Sequence, residues 1–183
     1  MSSRDRLLQL IVERAYRDGL DIVLASGKRS TFYINGKKIT LHPEGLHLLA
    51  SLMLDELDRF PKVTAIGGLT LGADPIAGAM CALSHTRGRP LKAFLVRKEA
   101  KGHGTGSLVE GDLDRGEQVA IVEDTITTGG SSRKAIEAVR ALGADPVVVL
   151  AMVDREDVDA EPFRREFAVR SLFRLTDLRN ARR

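Results

Sequence analysis

The order of apolar and polar positions divides the chain in two. Over residues 4–18, Leu7, Leu8, Ile11, Val12 and Ala15 recur at i, i+3 and i+4, the spacing of one buried helix face, and Gly19 supplies a stop. Two short apolar runs follow, Ile22-Val23-Leu24 and Thr31-Phe32-Tyr33-Ile34. They flank a turn at Ser26-Gly27-Lys28, which predicts a hairpin or a hooked cap. A second helix starts at Pro43, a residue favoured in a first turn, and carries Leu46, Leu49, Met53 and Leu57 to about Phe60.

Beyond Pro61 the rhythm changes. Apolar, β-branched runs at 63–66, 91–96, 118–122, 147–153 and 167–172 alternate with helical segments near 75–85 and 132–142. Continuous rather than alternating apolar strands are buried on both faces. The expectation is therefore an α/β fold, with a mostly parallel sheet of about five strands flanked by helices. Ligands then belong at the carboxyl ends of the strands. There is no internal repeat and no linker, so residues 1–183 read as a single domain.

Composition removes whole classes. A chain of 183 residues that is 43% hydrophobic can bury a core and is not mainly disordered. No apolar run approaches the ~20 residues of a membrane-spanning helix, so no membrane partner is expected. The charged start, Met1-Ser2-Ser3-Arg4-Asp5-Arg6, does not read as a secretory signal. The single cysteine, Cys81, excludes an internal disulfide and a multi-cysteine metal site, and the expected setting is the cytoplasm. The net charge of +3 is local. Seven arginines from position 164 onward face only Glu161, Glu166 and Asp177, and the rest of the chain is near neutral. That is a solvated basic tail rather than a nucleic-acid surface.

The chemistry concentrates in one segment. The apolar run 118–122 leads into Glu123-Asp124-Thr125-Ile126-Thr127-Thr128-Gly129-Gly130-Ser131-Ser132. Two acids at a strand tip are followed by small hydroxyl residues and glycines at a helix start. Free N–H groups at a helix N-terminus suit a phosphate, and glycines let the backbone approach it. Two carboxylates would repel a bare phosphate, but they suit sugar hydroxyls or a cation. A sugar phosphate fits, and a P-loop does not, because no Gly-Lys-Ser/Thr follows. The plainer alternative is a strand-to-helix turn with serine caps.

A second segment gathers Arg97, Lys98, Lys101 and His103 around a single acid, Glu99, with Gly102, Gly104 and Gly106 interspersed. A cationic, glycine-rich loop can close over a polyanion and neutralise a diphosphate leaving group. Its alternative is a charged surface loop.

The stretch from Val122 to Ser131 resembles the phosphoribosyl diphosphate (PRPP) signature of type I phosphoribosyltransferases. Within them, three segments resemble the orotate phosphoribosyltransferase family: Val96-Arg97-Lys98-Glu99-Ala100-Lys101-Gly102-His103-Gly104, residues 26–33, and Gly67-Gly68-Leu69-Thr70-Leu71-Gly72-Ala73-Asp74-Pro75. The resemblance runs from the first helix to about Glu156. It implies the type I phosphoribosyltransferase fold with a small N-terminal hood, formed mainly by about 1–40. It also implies transfer of phosphoribose from PRPP to orotate, with Mg²⁺ bound mainly through PRPP and no dedicated protein metal site. Lys101, His103 and Asp124 would be catalytic. PRPP would meet Arg97, Lys98, Lys101, His103, Glu123, Asp124, Thr125, Ile126, Thr127, Thr128, Gly129, Gly130 and Ser131. Orotate would meet Thr127, Arg155, Tyr33 and Ile34. A homodimer that shares the catalytic loop across its interface is implied too. For Arg155 the alternative is a surface ion pair with Asp154 or Glu156, and for Tyr33 and Ile34 it is hydrophobic core. Some members carry lysine where this chain has Ala25 and Leu71.

Overall fold

The computed structural model describes residues 1–23, 29–99 and 108–182. Helix α1 (Ser3–Leu10) opens on a reciprocal cap, in which Ser2 Oγ accepts from the Asp5 N–H and the Asp5 carboxylate accepts from the Ser2 N–H. One wider helical turn, Ile11–Ala15, extends it. Strand β1 (Tyr16–Val23) follows at once and pairs antiparallel with β2 (Arg29–Ile34). The helix is thus shorter than the periodicity over 4–18 predicts. Tyr16 pairs with Ile34, its ring packs 6.4 Å from that of Phe32, and the Asn35 N–H donates to the Ala15 carbonyl. Tertiary pairing overrides a helical pattern that had only Leu7, Leu10, Ile11 and Ala15 to bury. The predicted turn at Ser26-Gly27-Lys28 lies outside the described residues.

A short helix α2 (Lys37–Thr40) leads to α3 (Pro43–Leu57), whose His42 Nδ1 caps the Gly45 N–H. Then come β3 (Val63–Leu69), α4 (Asp74–Thr86), β4 (Lys92–Val96), β5 (Val109–Glu110), β6 (Gln118–Ile126), α5 (Gly130–Ala141), β7 (Asp145–Asp154), α6 (Glu161–Glu166), β8 (Val169–Arg174) and α7 (Leu175–Ala181). The main sheet has six strands in the order β5-β4-β3-β6-β7-β8, all parallel except the β4–β5 pair. The sixth strand, β5, has two residues, too few to leave a periodic trace in the sequence. Strand β6 runs four residues past the predicted end at 122 because Glu123, Thr125 and Ile126 continue in register with Ala151, Val153 and Asp154 of β7. Glu123 and Asp124 are therefore held in a ladder rather than carried on a free tip.

Alternation along the strands feeds two cores. Ile66, Ala120, Val122, Val148, Leu150 and Met152 join residues of α1, α3, α4 and α7. Ala65, Ile121, Val149 and Ala151 join Ala135, Ile136 and Val139 of α5 and Phe163 of α6. The hood has no core of its own, since Leu7, Ile11, Tyr16 and Ile34 belong to the first cluster. From β3 the chain passes outward to β4 and then returns to the other side of β3 as β6. Loops leaving β3 and β6 consequently diverge, and the crevice between them is where an open parallel sheet accepts a ligand.

Candidate active site

That crevice holds the two carboxylates. Glu123 is 7% exposed, and Ser132 Oγ donates to its Oε2 at 3.4 Å. Asp124 lies beside it, and the backbone of two loops closes on the pair. A Cβ at Gly72 would stand 3.0 Å from Glu123 Oε1 and 3.4 Å from Asp124 Oδ1, and a Cβ at Gly36 would stand 2.3 Å from Asp124 Oδ2. The loop after β3 and the end of the hood are thus both packed against the acids at bare-backbone distance. Burial, then the charge of Asp124, pushes the Glu123 carboxyl up to about 8. Burial also raises Asp124, against the opposing attraction of Lys37.

Beyond the acids the chain forms an anion cradle. Residues 125–132 and Glu123 line a cavity of about 70 Å³ at the N-terminus of α5. Gly129 adopts φ +82°, and a Cβ there would meet Phe163 Cγ at 2.3 Å, so both the turn and the α6 wall require glycine. Thr125 Oγ1 is buried with no partner among the described residues, a hydroxyl left free within the cradle. Thr127, Thr128, Gly130 and Ser131 surround the same space, whereas Ile126 turns its side chain into the core.

Arg155 follows the end of β7, one strand over. It is 8% exposed and forms no ion pair among the described residues. The acids on either side of it are engaged elsewhere. Arg164 holds Asp154 through both oxygens at 3.0 and 3.2 Å, and Thr176 donates its N–H to Glu156 at 2.9 Å. The surface-pair alternative is thereby removed. Arg155 instead lies with its Cζ 4.6 Å from the Phe32 ring centroid, and its Nε has no acceptor among the described residues. Burial lowers its pKa, and Asp157 opposes this only weakly. In the hood, Tyr33 is 44% exposed, whereas Ile34 is buried in the core, as the apolar alternative for it expects.

Arg97 and Lys98 share a groove with Thr70, Leu71 and Glu99, and Arg97 Nη1 lies 3.1 Å from Glu110 Oε1. Where Leu71 replaces a lysine, two cations therefore stand nearby. Lys101 and His103 lie outside the described residues, as does Ala25. Three neighbours of the site escaped the sequence reading: Gly36, Lys37 and Phe163. Gly36 and Phe163 act through packing, which no local motif records.

An acid pair and a glycine-hydroxyl loop opening a helix at the switch point of a parallel sheet, with an N-terminal hairpin hood, make this a type I phosphoribosyltransferase fold. No family model matches the chain. It is 46% identical over 185 residues to the orotate phosphoribosyltransferase of Rhodopseudomonas palustris (strain BisB5), covering 98% of this chain and 97% of the relative. The orotate phosphoribosyltransferase of Mycobacterium tuberculosis H37Rv superimposes with a TM-score of 0.83 and 38% identity in its complex with Fe(III) dicitrate, over 97% of this chain and 99% of that one. Its complex with PRPP gives 0.79 and 35%, over the same shares. The chain belongs to the orotate phosphoribosyltransferase family.

Proposed function

We propose that this chain transfers the 5-phosphoribosyl group from PRPP to orotate, giving orotidine 5′-monophosphate and diphosphate. The observation that carries the choice of acceptor is Arg155, a buried guanidinium beside the acid pair's strand that makes no close ion pair among the described residues. A fork of in-plane donors suits a planar carboxylate, and orotate carries one where neutral bases do not. Tyr33, the Ile34 backbone and Thr127 hold the ring. Glu123 and Asp124 accept from the ribose hydroxyls and offset positive charge that develops at C1. Residues 125–131 anchor the 5′-phosphate, which fixes C1 against the orotate nitrogen.

The departing diphosphate is met by Arg97 and Lys98, together with Lys101 and His103, whose roles rest on the likeness of their motif. No set of three or more His, Cys, Asp or Glu side chains among the described residues could hold a metal ion. Mg²⁺ fits such a site only by taking most of its ligands from the substrate, which is its habit with phosphates. Bound there it would neutralise diphosphate oxygens, and Glu123 and Asp124 would be the acids available to hold its hydration shell. A homodimer exchanging the 97–103 loop, in a cytoplasmic setting, completes the reading.

The test is a coupled assay with PRPP, Mg²⁺ and a panel of bases. Consumption of orotate, with adenine, hypoxanthine and uracil untouched, is the expected result. Arg155→Ala should raise the KM for orotate by ~100-fold, the scale of a lost charge-assisted pair, and leave the KM for PRPP within twofold. Turnover of a neutral base instead of orotate would overturn the assignment.

A further inference from the structure

We infer that Phe32 is a positioning residue for orotate: its ring holds the Arg155 guanidinium in place, and the C-terminal helix holds the ring. The inference rests on the reading of Arg155 given above. Arg155 is buried, yet little orients its side chain. Among the described residues its Nη2 donates to Ser30 Oγ at a long 3.4 Å, its Nε has no acceptor, Asp157 acts on it only through its charge, and the Phe32 face lies 4.6 Å away. Ser30 is itself tied to Phe32, donating to the Phe32 carbonyl at 2.7 Å and accepting from the Phe32 N–H at 3.3 Å. Both side-chain contacts of the guanidinium therefore pass through one short piece of β2.

An aromatic face attracts a guanidinium without cancelling its charge, whereas a carboxylate in the same place would neutralise it. The in-plane N–H groups, Nε included, stay available for a carboxylate brought by the substrate. Phe32 has a second cation against its ring. Arg179 of α7 places its Cζ 5.5 Å from the same ring, Arg182 places its own 5.9 Å from Tyr16, and Tyr16 and Phe32 pack at 51°. Asp18 of β1 is attracted by both arginines. The basic tail that the composition assigns to solvent thus serves as a clasp on the hood, one contact removed from the orotate carboxylate.

Steady-state kinetics of the full-length enzyme test this with Phe32→Leu, Phe32→Tyr, Arg179→Ala and Arg155→Ala. Phe32→Leu keeps bulk and removes the π face. The KM for orotate should rise about tenfold, the scale of one partly desolvated cation–π contact, with kcat and the KM for PRPP within twofold. Phe32→Tyr should restore it, and Arg179→Ala should raise it about threefold. In an Arg155→Ala background, Phe32→Leu should add nothing. An unchanged KM for orotate in Phe32→Leu, or an equal rise in both KM values, overturns the positioning role. If Phe32→Leu fails to fold, Arg179→Ala decides alone, and an unchanged KM for orotate there overturns the clasp. An unchanged KM for orotate in Arg155→Ala instead sinks the orotate reading itself, which keeps the two failures apart.

Discussion

Gly36→Ala adds one methyl group where the hood meets the acid pair. The backbone at Gly36 has φ −54° and ψ −32°, open to any residue, so conformational strain plays no part. The new Cβ would stand 2.3 Å from Asp124 Oδ2, 2.7 Å from Cγ and 2.8 Å from Cβ. Rotating the carboxylate relieves the first contact but not the last, because the Asp124 Cβ is fixed to β6. Ordinary contact begins at 3.4 Å, so hood and strand must still separate by about 0.6 Å. A displacement of about 1 Å at reacting groups costs about 100-fold in rate, so this one costs about 10-fold, or about 1.4 kcal/mol of transition-state stabilisation. The stability cost is smaller: overpacking costs about 1–3 kcal/mol, against about 0.4–1 kcal/mol recovered from the unfolded chain, so Tm falls by a few degrees. The assay is kcat with both substrates saturating, beside a thermal melt. Gly78→Ala is the control. It sits exposed within α4 with nothing within 4 Å of a Cβ, and should raise Tm slightly while leaving kcat unchanged. A Gly36→Ala enzyme with kcat within threefold of the parent would refute the packing argument.

Two further outcomes follow. Glu123, raised to about 8 by burial and by Asp124, favours folding below its ordinary range and loses that contribution as pH rises through 8; the Tm of the ligand-free protein should therefore fall between pH 5 and 9, and Glu123→Gln should flatten that fall, a parallel slope in both proteins arguing against the raised carboxyl. Lys101→Ala should lower kcat by at least 100-fold, the scale of one lost transition-state donor, with PRPP affinity changed by less than threefold, and an unchanged kcat would remove Lys101 from the chemistry.

Most of the frame was legible in the sequence because a parallel sheet is written in runs of apolar residues. Strands β3, β4, β6, β7 and β8 all overlap predicted runs, and α4 and α5 match to within a residue or two. What was not legible depended on partners distant in the chain. The end of α1 is set by Tyr16 pairing with Ile34, the length of β6 by its register with β7, and β5 by two residues at an edge. The site divides the same way. The acids and the threonine-glycine loop are contiguous and announce themselves, as does Arg155, which directly follows the Asp154 end of β7. That Arg155 is not paired with Asp154 or Glu156 turned on Arg164 and Thr176, which occupy those neighbours.

The contact between Gly129 and Phe163 has a consequence for mutational tolerance that runs in one direction only. Trimming Phe163 would open space at position 129, yet a side chain there would still face φ +82°, so no single repair makes alanine acceptable. Position 163 has no such second lock. It can lose atoms at the cost of a cavity, and Arg133, whose guanidinium lies 5.9 Å from its ring and 5.2 Å from that of Phe167, would keep one of its two aromatic supports. Drift along this chain is thus ratcheted: α6 can vary behind the cradle, while the cradle cannot vary to accommodate α6.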